Sequence, residues 1–187
     1  IKQFPVPVYL SRGTLNSINF PLNTEINIIE GGKEFQIGEI AISPFSVPHD
    51  ASEPMGFTFF NGRKKIGFAS DLGKVTFLVL EKLKNANLLA LETNHDEELL
   101  KNGPYPLDLK LRIKSAFGHL SNRDAVEAVK ELISKNLRYI LPIHLSEVNN
   151  SPDLVKYYME EILKINFYLN ISCVVARQRE TIPFLEV

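Results

Sequence analysis

The sequence predicts a layered, mixed α/β (α+β) domain in which sheet is covered by helices. Three observations carry this reading. The first half is dense in short strand patterns, and the second half alternates helix with strand. Residues 87–92 and 138–144 are near-continuous apolar runs, as strands buried on both faces are. A chain of 187 residues suits one domain, taken as residues 1–187, and can bury roughly 70% of the surface its unfolded form exposes.

Taken in order, residues 7–10 and 25–30 read as short strands, followed by a Gly31-Gly32 turn. Residues 39–47 alternate apolar and polar, the period of a half-buried strand. Residues 56–60 and 65–70 flank Asn61-Gly62, a strong hairpin turn. Residues 75–83 form a helix with one apolar face, and residues 87–92 the first buried strand. A short helix over residues 96–102 stops at Gly103-Pro104, and residues 107–117 are helical again. Ser121 caps the next helix. Asp124 stands three residues on, where a capping box would carry Glu or Gln. Ala125, Val126, Val129, Leu132 and Ile133 make its apolar stripe. After the strand at 138–144, Ser151-Pro152 opens a helix to about residue 164, and residues 171–177 form a last strand.

Composition narrows the function classes. Hydrophobic residues at 44% and charged residues at 23% exclude a disordered chain. Twenty-one Lys plus Arg against 22 Asp plus Glu give a net charge of −1, so no overall basicity advertises nucleic acid, although a local patch is compatible with it. The single cysteine, Cys173, excludes an internal disulfide and suits a reducing, cytoplasmic setting. No apolar run reaches the length of a membrane span.

The four histidines stand where strands end or helices begin: His49 in VPHDA, His95 in ETNHD, His119 in GHLSN and His144 in PIHLS. Strand ends of layered α/β proteins aim side chains into shared crevices. Asp50, Asp71, Glu92, Asn94, Asp96, Asn122, Asn149 and Asn150 recur beside them. Imidazole with carboxylate suits Zn, Mn or Fe, and imidazole also shuttles protons near neutral pH. Each residue alone has an ordinary structural explanation, such as a turn, a cap or a loop. There is no HExxH, CxxC, GxSxG, GxxxxGK[ST] or GxGxxG in the chain. Pattern alone therefore gives a His/Asp site, either a metal site or a general acid–base site.

In this order, VPHDASEPMGF, KKIGFASDLG, LLALETNHDEELLKNGPYP, GHLSN and ILPIHLSEVNN closely resemble the YycJ/WalJ family of metallo-β-lactamase-fold hydrolases, from about Val8 to the C-terminus. The resemblance implies a four-layer αβ/βα sandwich with two divalent metal ions (Zn, Mn or Fe) at the strand ends. It also implies phosphodiester hydrolysis, with DNA as the favoured partner and exonuclease activity. By residue it implies His49 and His144 as metal ligands and Asp71 as the bridging aspartate. Glu92 with His119 resembles the Glu–His pair that ribonuclease Z-like relatives use to protonate the leaving group. Asn94, His95 and Asn122 are family-typical neighbours without an assigned role.

The family's HxHxDH motif, the source of most of its metal ligands, does not occur in the chain, which opens at Ile1. The expectation is an N-terminally incomplete piece of the fold that binds metal weakly and is inactive by itself. The competing expectation is a non-catalytic fragment or interaction module that has lost its metal site.

Overall fold

Strand β1 (Val8–Leu10) pairs in parallel with β2 (Ile26–Ile28) to form a small separate sheet, with helix α1 (Arg12–Ser17) between them. The computed structural model describes residues 6–166 and 169–187. Among these, the main sheet has seven strands in the order β3 (Phe35–Ile37), β4 (Ile40–Ser46), β5 (Met55–Phe60), β6 (Lys65–Ala69), β7 (Leu88–Glu92), β8 (Tyr139–Ile143) and β9 (Ser172–Cys173). The pairs from β3 to β6 are antiparallel and those from β6 to β9 are parallel. The connections carry α2 (Phe77–Leu83), α3 (Glu97–Asn102), α4 (Leu107–Lys114), α5 (Asn122–Leu132) and α6 (Pro152–Ile165).

Every residue of β7 is buried, as its unbroken apolar run requires. One face of the sheet lies under α2, α5 and α6, where Val79, Leu83, Leu89, Leu91, Val129, Ile140 and Met159 form one core. Gly67 is what lets α2 sit down on β6. A Cβ there would stand 2.7 Å from Leu83 Cδ2, with Leu89 and Ala86 also in contact. The stripe read on α5 is buried at Ala125, Val126, Val129 and Leu132.

The structure departs from the sequence reading at several points. The period-two segment over residues 39–47 begins one residue late. Gly38, at φ 58°, and Glu39 form a tight turn that joins β4 to the unforeseen β3. Helix α1 was also not expected; six residues hold too little apolar periodicity to show it, although Ser11 caps it. Helix α4 ends at Lys114, short of the expected residue 117, because the chain turns there toward Gly118. Strand β9 is only Ser172–Cys173, yet the Val174 and Ala176 N–H groups still donate to the Ile140 and Pro142 carbonyls at 2.9 Å. The reciprocal capping box does not form. Ser121 Oγ accepts from the Asp124 N–H at 3.1 Å and donates to Asp124 Oδ2 at 2.7 Å, since Asp is one methylene too short to turn back to the cap backbone.

Strand direction is what matters for chemistry. Because β4, β6, β7 and β8 all run the same way, the segments that leave their C-terminal ends emerge on one rim of the sheet.

Gly67→Val is expected to lower stability by about 1–3 kcal/mol, because the buried Leu83 side chain of α2 must give way. The measurement is the urea midpoint at unchanged m-value. An unshifted midpoint would show that α2 does not depend on this contact.

Candidate metal centre

Four strand ends and one helix-preceding loop supply the site. His49 follows β4, Asp71 follows β6, Glu92 is the last residue of β7, His144 follows β8, and His119 precedes α5. Backbone hydrogen bonds lace these loops together. Gly73 N–H donates to Pro48 O at 2.9 Å, Asp50 N–H to Phe117 O at 3.0 Å, Asn94 N–H to Leu120 O at 2.9 Å, and Ser146 N–H to Asn94 O at 2.8 Å.

Glu92 is the hub. Its side chain is fully buried, and Oε1 accepts from His119 Nδ1 at 2.7 Å and from His144 Nδ1 at 2.8 Å. Oε2 accepts the Leu72 N–H at 2.8 Å. Burial pushes the Glu92 carboxyl up, but the hydrogen bonds from His119, His144 and Leu72 outweigh it and the net shift is downward. An ionised carboxylate can only accept, so both rings carry hydrogen on Nδ1 and turn Nε2 away from Glu92. The hydrogen bond to Glu92 raises the His144 pKa against the opposing effect of burial. His49 is oriented in the same sense by another acceptor, since its Nδ1 lies 3.0 Å from the Gly118 carbonyl.

Asp71 Oδ1 lies among the three rings, 3.8 Å from His49 Nε2, 3.8 Å from His119 Nδ1 and 3.5 Å from His144 Nδ1. These separations are too long for good hydrogen bonds, so the half-exposed carboxylate is a donor set's anion without a close partner. Asp71, Glu92, His119 and His144 offer donor atoms within 4.8 Å of one another. The ring centroids of His49 and His119 are 5.0 Å apart and those of His119 and His144 5.1 Å apart. Asp71 (φ 53°) and His144 (φ 57°) both occupy the left-handed region. Such backbone persists only where surroundings enforce it, and it clusters at functional sites. Asn94 supplies part of the enforcement by donating Nδ2–H to the His144 carbonyl at 2.9 Å.

A cleft of about 340 Å³ opens beside His119 and His144, with Asn94, Tyr105, Arg112 and Gln178 on its walls. Arg112 Nε is 2.5 Å from Asp50 Oδ2, and Asp50 Oδ1 is 3.5 Å from His49 Nε2. Arg112 thereby holds the Asp50 carboxyl below its ordinary value.

The five residues to which the resemblance gives roles, His49, Asp71, Glu92, His119 and His144, stand together at this rim. Two features went unread. Glu92 serves His144 as well as His119, which needs a strand register that no local motif reveals. Arg112 and Gly118 join the site through the α4 turn, where the one available signal was the glycine. A Cβ at Gly118 would collide with the Arg112 and Ile113 carbonyls. Of the neighbours without a role, Asn94 clamps His144 and Asn122 pairs with Asn150 in a buried amide exchange at 3.0 and 2.8 Å. His95 is turned into the core, 2% exposed, with Nδ1 unpartnered.

A profile of the beta-lactamase superfamily domain matches residues 5–145. The exodeoxyribonuclease YycJ of Bacillus anthracis is 33% identical over 168 residues, covering 87% of this chain and 63% of that protein. The exodeoxyribonuclease WalJ of Streptococcus pneumoniae is 36% identical over 137 residues, covering 73% and 51%. This chain thus spans between about half and two thirds of the length of the curated relatives it matches. In fold it is similar to the metallo-beta-lactamase fold protein YhfI from Bacillus subtilis, with TM-score 0.66, 15% identity, and 91% of this chain matched to 62% of that one. It is also similar to Zn(2+)-bound PqqB from Methylobacterium extorquens, with TM-score 0.64, 16% identity, and coverage of 92% and 60%.

Burial lowers the His95 pKa to about 4. Below the unfolded value of 6.5 the unfolded chain takes up a proton that the folded chain refuses, so this residue removes stability as pH falls from 6.5 toward 4. The total is about 3 kcal/mol. His95→Gln is expected to flatten that part of the stability–pH curve, read from urea midpoints at neutral and acid pH. An unchanged curve would mean that His95 does not resist protonation.

Proposed function

This chain belongs to the beta-lactamase superfamily, and from that premise we propose that it carries part of a dinuclear metal site for phosphodiester hydrolysis, in an exonuclease-type enzyme acting on DNA. The observation that carries the reading is the arrangement around Glu92: two imidazoles fixed in one tautomer by a buried carboxylate that accepts three hydrogen bonds, with a third ring and the loosely held Asp71 carboxylate at their side. The names of the similar exodeoxyribonucleases supply the substrate class.

The donor chemistry fits a borderline divalent cation such as Zn, Mn or Fe. His49 and His144 would hold the ions and Asp71 would bridge them. Ions bound there would supply Lewis acidity and a water acidic enough to attack phosphorus near neutral pH. Asp71 contributes a negative charge among rings that are otherwise neutral or positive. Glu92 does not ligate in this reading, because its oxygens already serve three donors. Its part is to hold ring orientation from behind, as carboxylates do behind metal-bound histidines. In this reading His119, with its Nδ1–H donated to Glu92 Oε1, would pass an Nε2 proton to the leaving oxygen while the Nδ1–H stays hydrogen-bonded to Glu92.

Ligand count sets the behaviour of the chain by itself. Three donors spread over two ions displace too little of the hydration shell for tight binding. This chain alone is therefore expected to retain well under one ion after dialysis and to be inactive. A gene product carrying both this chain and an HxHxDH segment is expected to bind two ions and to cleave DNA until chelator is added.

In that product, His119→Ala is expected to lower kcat by about 10²–10⁴ with metal content unchanged. Loss of metal instead would make His119 a ligand and end its assignment as proton donor. Asp71→Ala should remove both metal and activity. A product that stays metal-free, or that cuts DNA equally well in excess chelator, would overturn the hydrolase reading in favour of an interaction module.

A further inference from the structure

At the opposite end of the sheet, where β6, β7 and β8 begin, lies a second cleft of about 470 Å³ that takes no part in the chemistry above. Five cations line it: Arg63, Lys64, Lys65, Lys84 and Arg138. Among the described residues only Lys84 has a carboxylate partner, Glu81. Lys65 Nζ donates to the Lys84 carbonyl at 2.7 Å, and an Arg138 guanidinium N–H donates to the Lys135 carbonyl at 3.0 Å. These carbonyls orient the cations without neutralising them. Burial, with Lys82 nearby, pushes the Lys65 pKa down. In a chain of net charge −1, this is a marked segregation of charge.

The floor is built rather than accidental. Asn87 Oδ1 accepts the Lys65 N–H at 2.9 Å, and Asn87 Nδ2 donates to the Asn136 carbonyl at 2.9 Å. The Asn87 backbone bonds Lys65 O at 2.7 Å and accepts the Arg138 N–H at 2.8 Å. One residue thus pins the β5–β6 hairpin, the α2–β7 turn and the α5–β8 turn together. Phe60, cross-strand from Lys65, lines the cleft and is 44% exposed.

We propose that this cleft binds the phosphate backbone of single-stranded DNA, with Phe60 as a stacking surface, as a second contact remote from the metal centre. A cationic groove with an exposed aromatic ring is how proteins hold single strands without reading sequence. Five cations exceed what one phosphate ion needs, which favours a polyanion. The exposed ring favours bases over an acidic peptide. The choice of DNA rests on the nuclease reading above; the cationic cleft does not. The five residues of β7 put about 16 Å between the two sites, so only a strand several nucleotides long reaches both.

The test uses this chain in excess EDTA, where no metal-dependent cleavage intervenes, and the anisotropy of a fluorescent oligothymidylate of about 20 nucleotides. Binding is expected to weaken steeply with salt. Arg63→Gln with Lys64→Gln, both exposed on the hairpin, should reduce the slope of log K against log salt by about 1.4. Phe60→Ala should weaken binding about tenfold at unchanged slope. No binding by the wild-type chain, or binding that neither variant alters, overturns the proposal. So does polyglutamate binding as tightly as DNA and indifferent to Phe60→Ala, which would indicate an acidic protein partner. Metal content and chelator-sensitive cleavage, measured separately, decide the hydrolase reading, so the two failures are distinguishable.

Discussion

The site depends on a carboxylate that never reaches the cleft. Glu92 is buried at the end of the most buried strand of the sheet, where an uncompensated charge would be strongly unfavourable. It is tolerated because His119, His144 and the Leu72 N–H all donate to it. The dependence runs both ways. The donors keep the carboxylate ionised, and the ionised carboxylate holds two rings in one tautomer with their Nε2 atoms turned away. Remove either half and the other loses its reason for that geometry.

The loops around Glu92 restrain one another as well as being tied to the elements beside them, as His119 N–H is to the Ile113 carbonyl of α4 and Thr93 N–H to the Ile143 carbonyl of β8. Pro48 and Gly73, Asp50 and Phe117, Asn94 and Leu120, and Asn94 and Ser146 are joined through the backbone, linking the loops of the five side chains into an open belt. Asp71 and His144 hold left-handed backbone within that belt, and Asn94 grips His144 from the β7 side. Asp and His enter that region more readily than most residues, yet positive φ is still uncommon for any side chain but glycine's hydrogen. Its cost is met by the belt, which aims the ring back at Glu92. Gly118 is the complementary device: without a side chain it lets the α4 turn close tightly enough for His49 to reach its carbonyl.

What the sequence showed and what it hid follow from the range of the interactions. Buried strands, caps and the Asn61-Gly62 hairpin are local, so β5 to β8 and α5 were legible from periodicity and turn chemistry. The five residues were legible because each sits at a strand end or, for His119, just before a helix, and motif resemblance placed them in one group. The shared use of Glu92 was hidden, because it needs residues 92, 119 and 144 brought together by the parallel pairing of β7 with β8 and by a loop that crosses them. The cationic cleft was hidden for the same reason. Arg63, Lys84 and Arg138 are far apart in sequence, and a net charge near zero masks any grouping of them.

Both ends of the molecule trace to the parallel run from β6 to β8. Parallel strands must return by crossovers, so the loops that leave β6, β7 and β8 gather at one end, and the segments that enter them, the β5–β6 hairpin among them, at the other. At the C-terminal ends the connections are long, rich in histidine and carboxylate, and held by backbone bonds between loops. At the N-terminal ends they are tight turns, with Gly62 and Asn85 in left-handed conformations, and they carry lysine and arginine around a single amide, Asn87. The strands have to keep the imidazole and carboxylate rim apart from the cationic one, because Lys or Arg ammonium and guanidinium groups beside Glu92 would compete with His119 and His144 for its oxygens. A buried strand of five residues supplies that separation without any polar side chain along its length until Glu92. The fold thus gathers lysine and arginine on one rim and imidazole and carboxylate groups on the other.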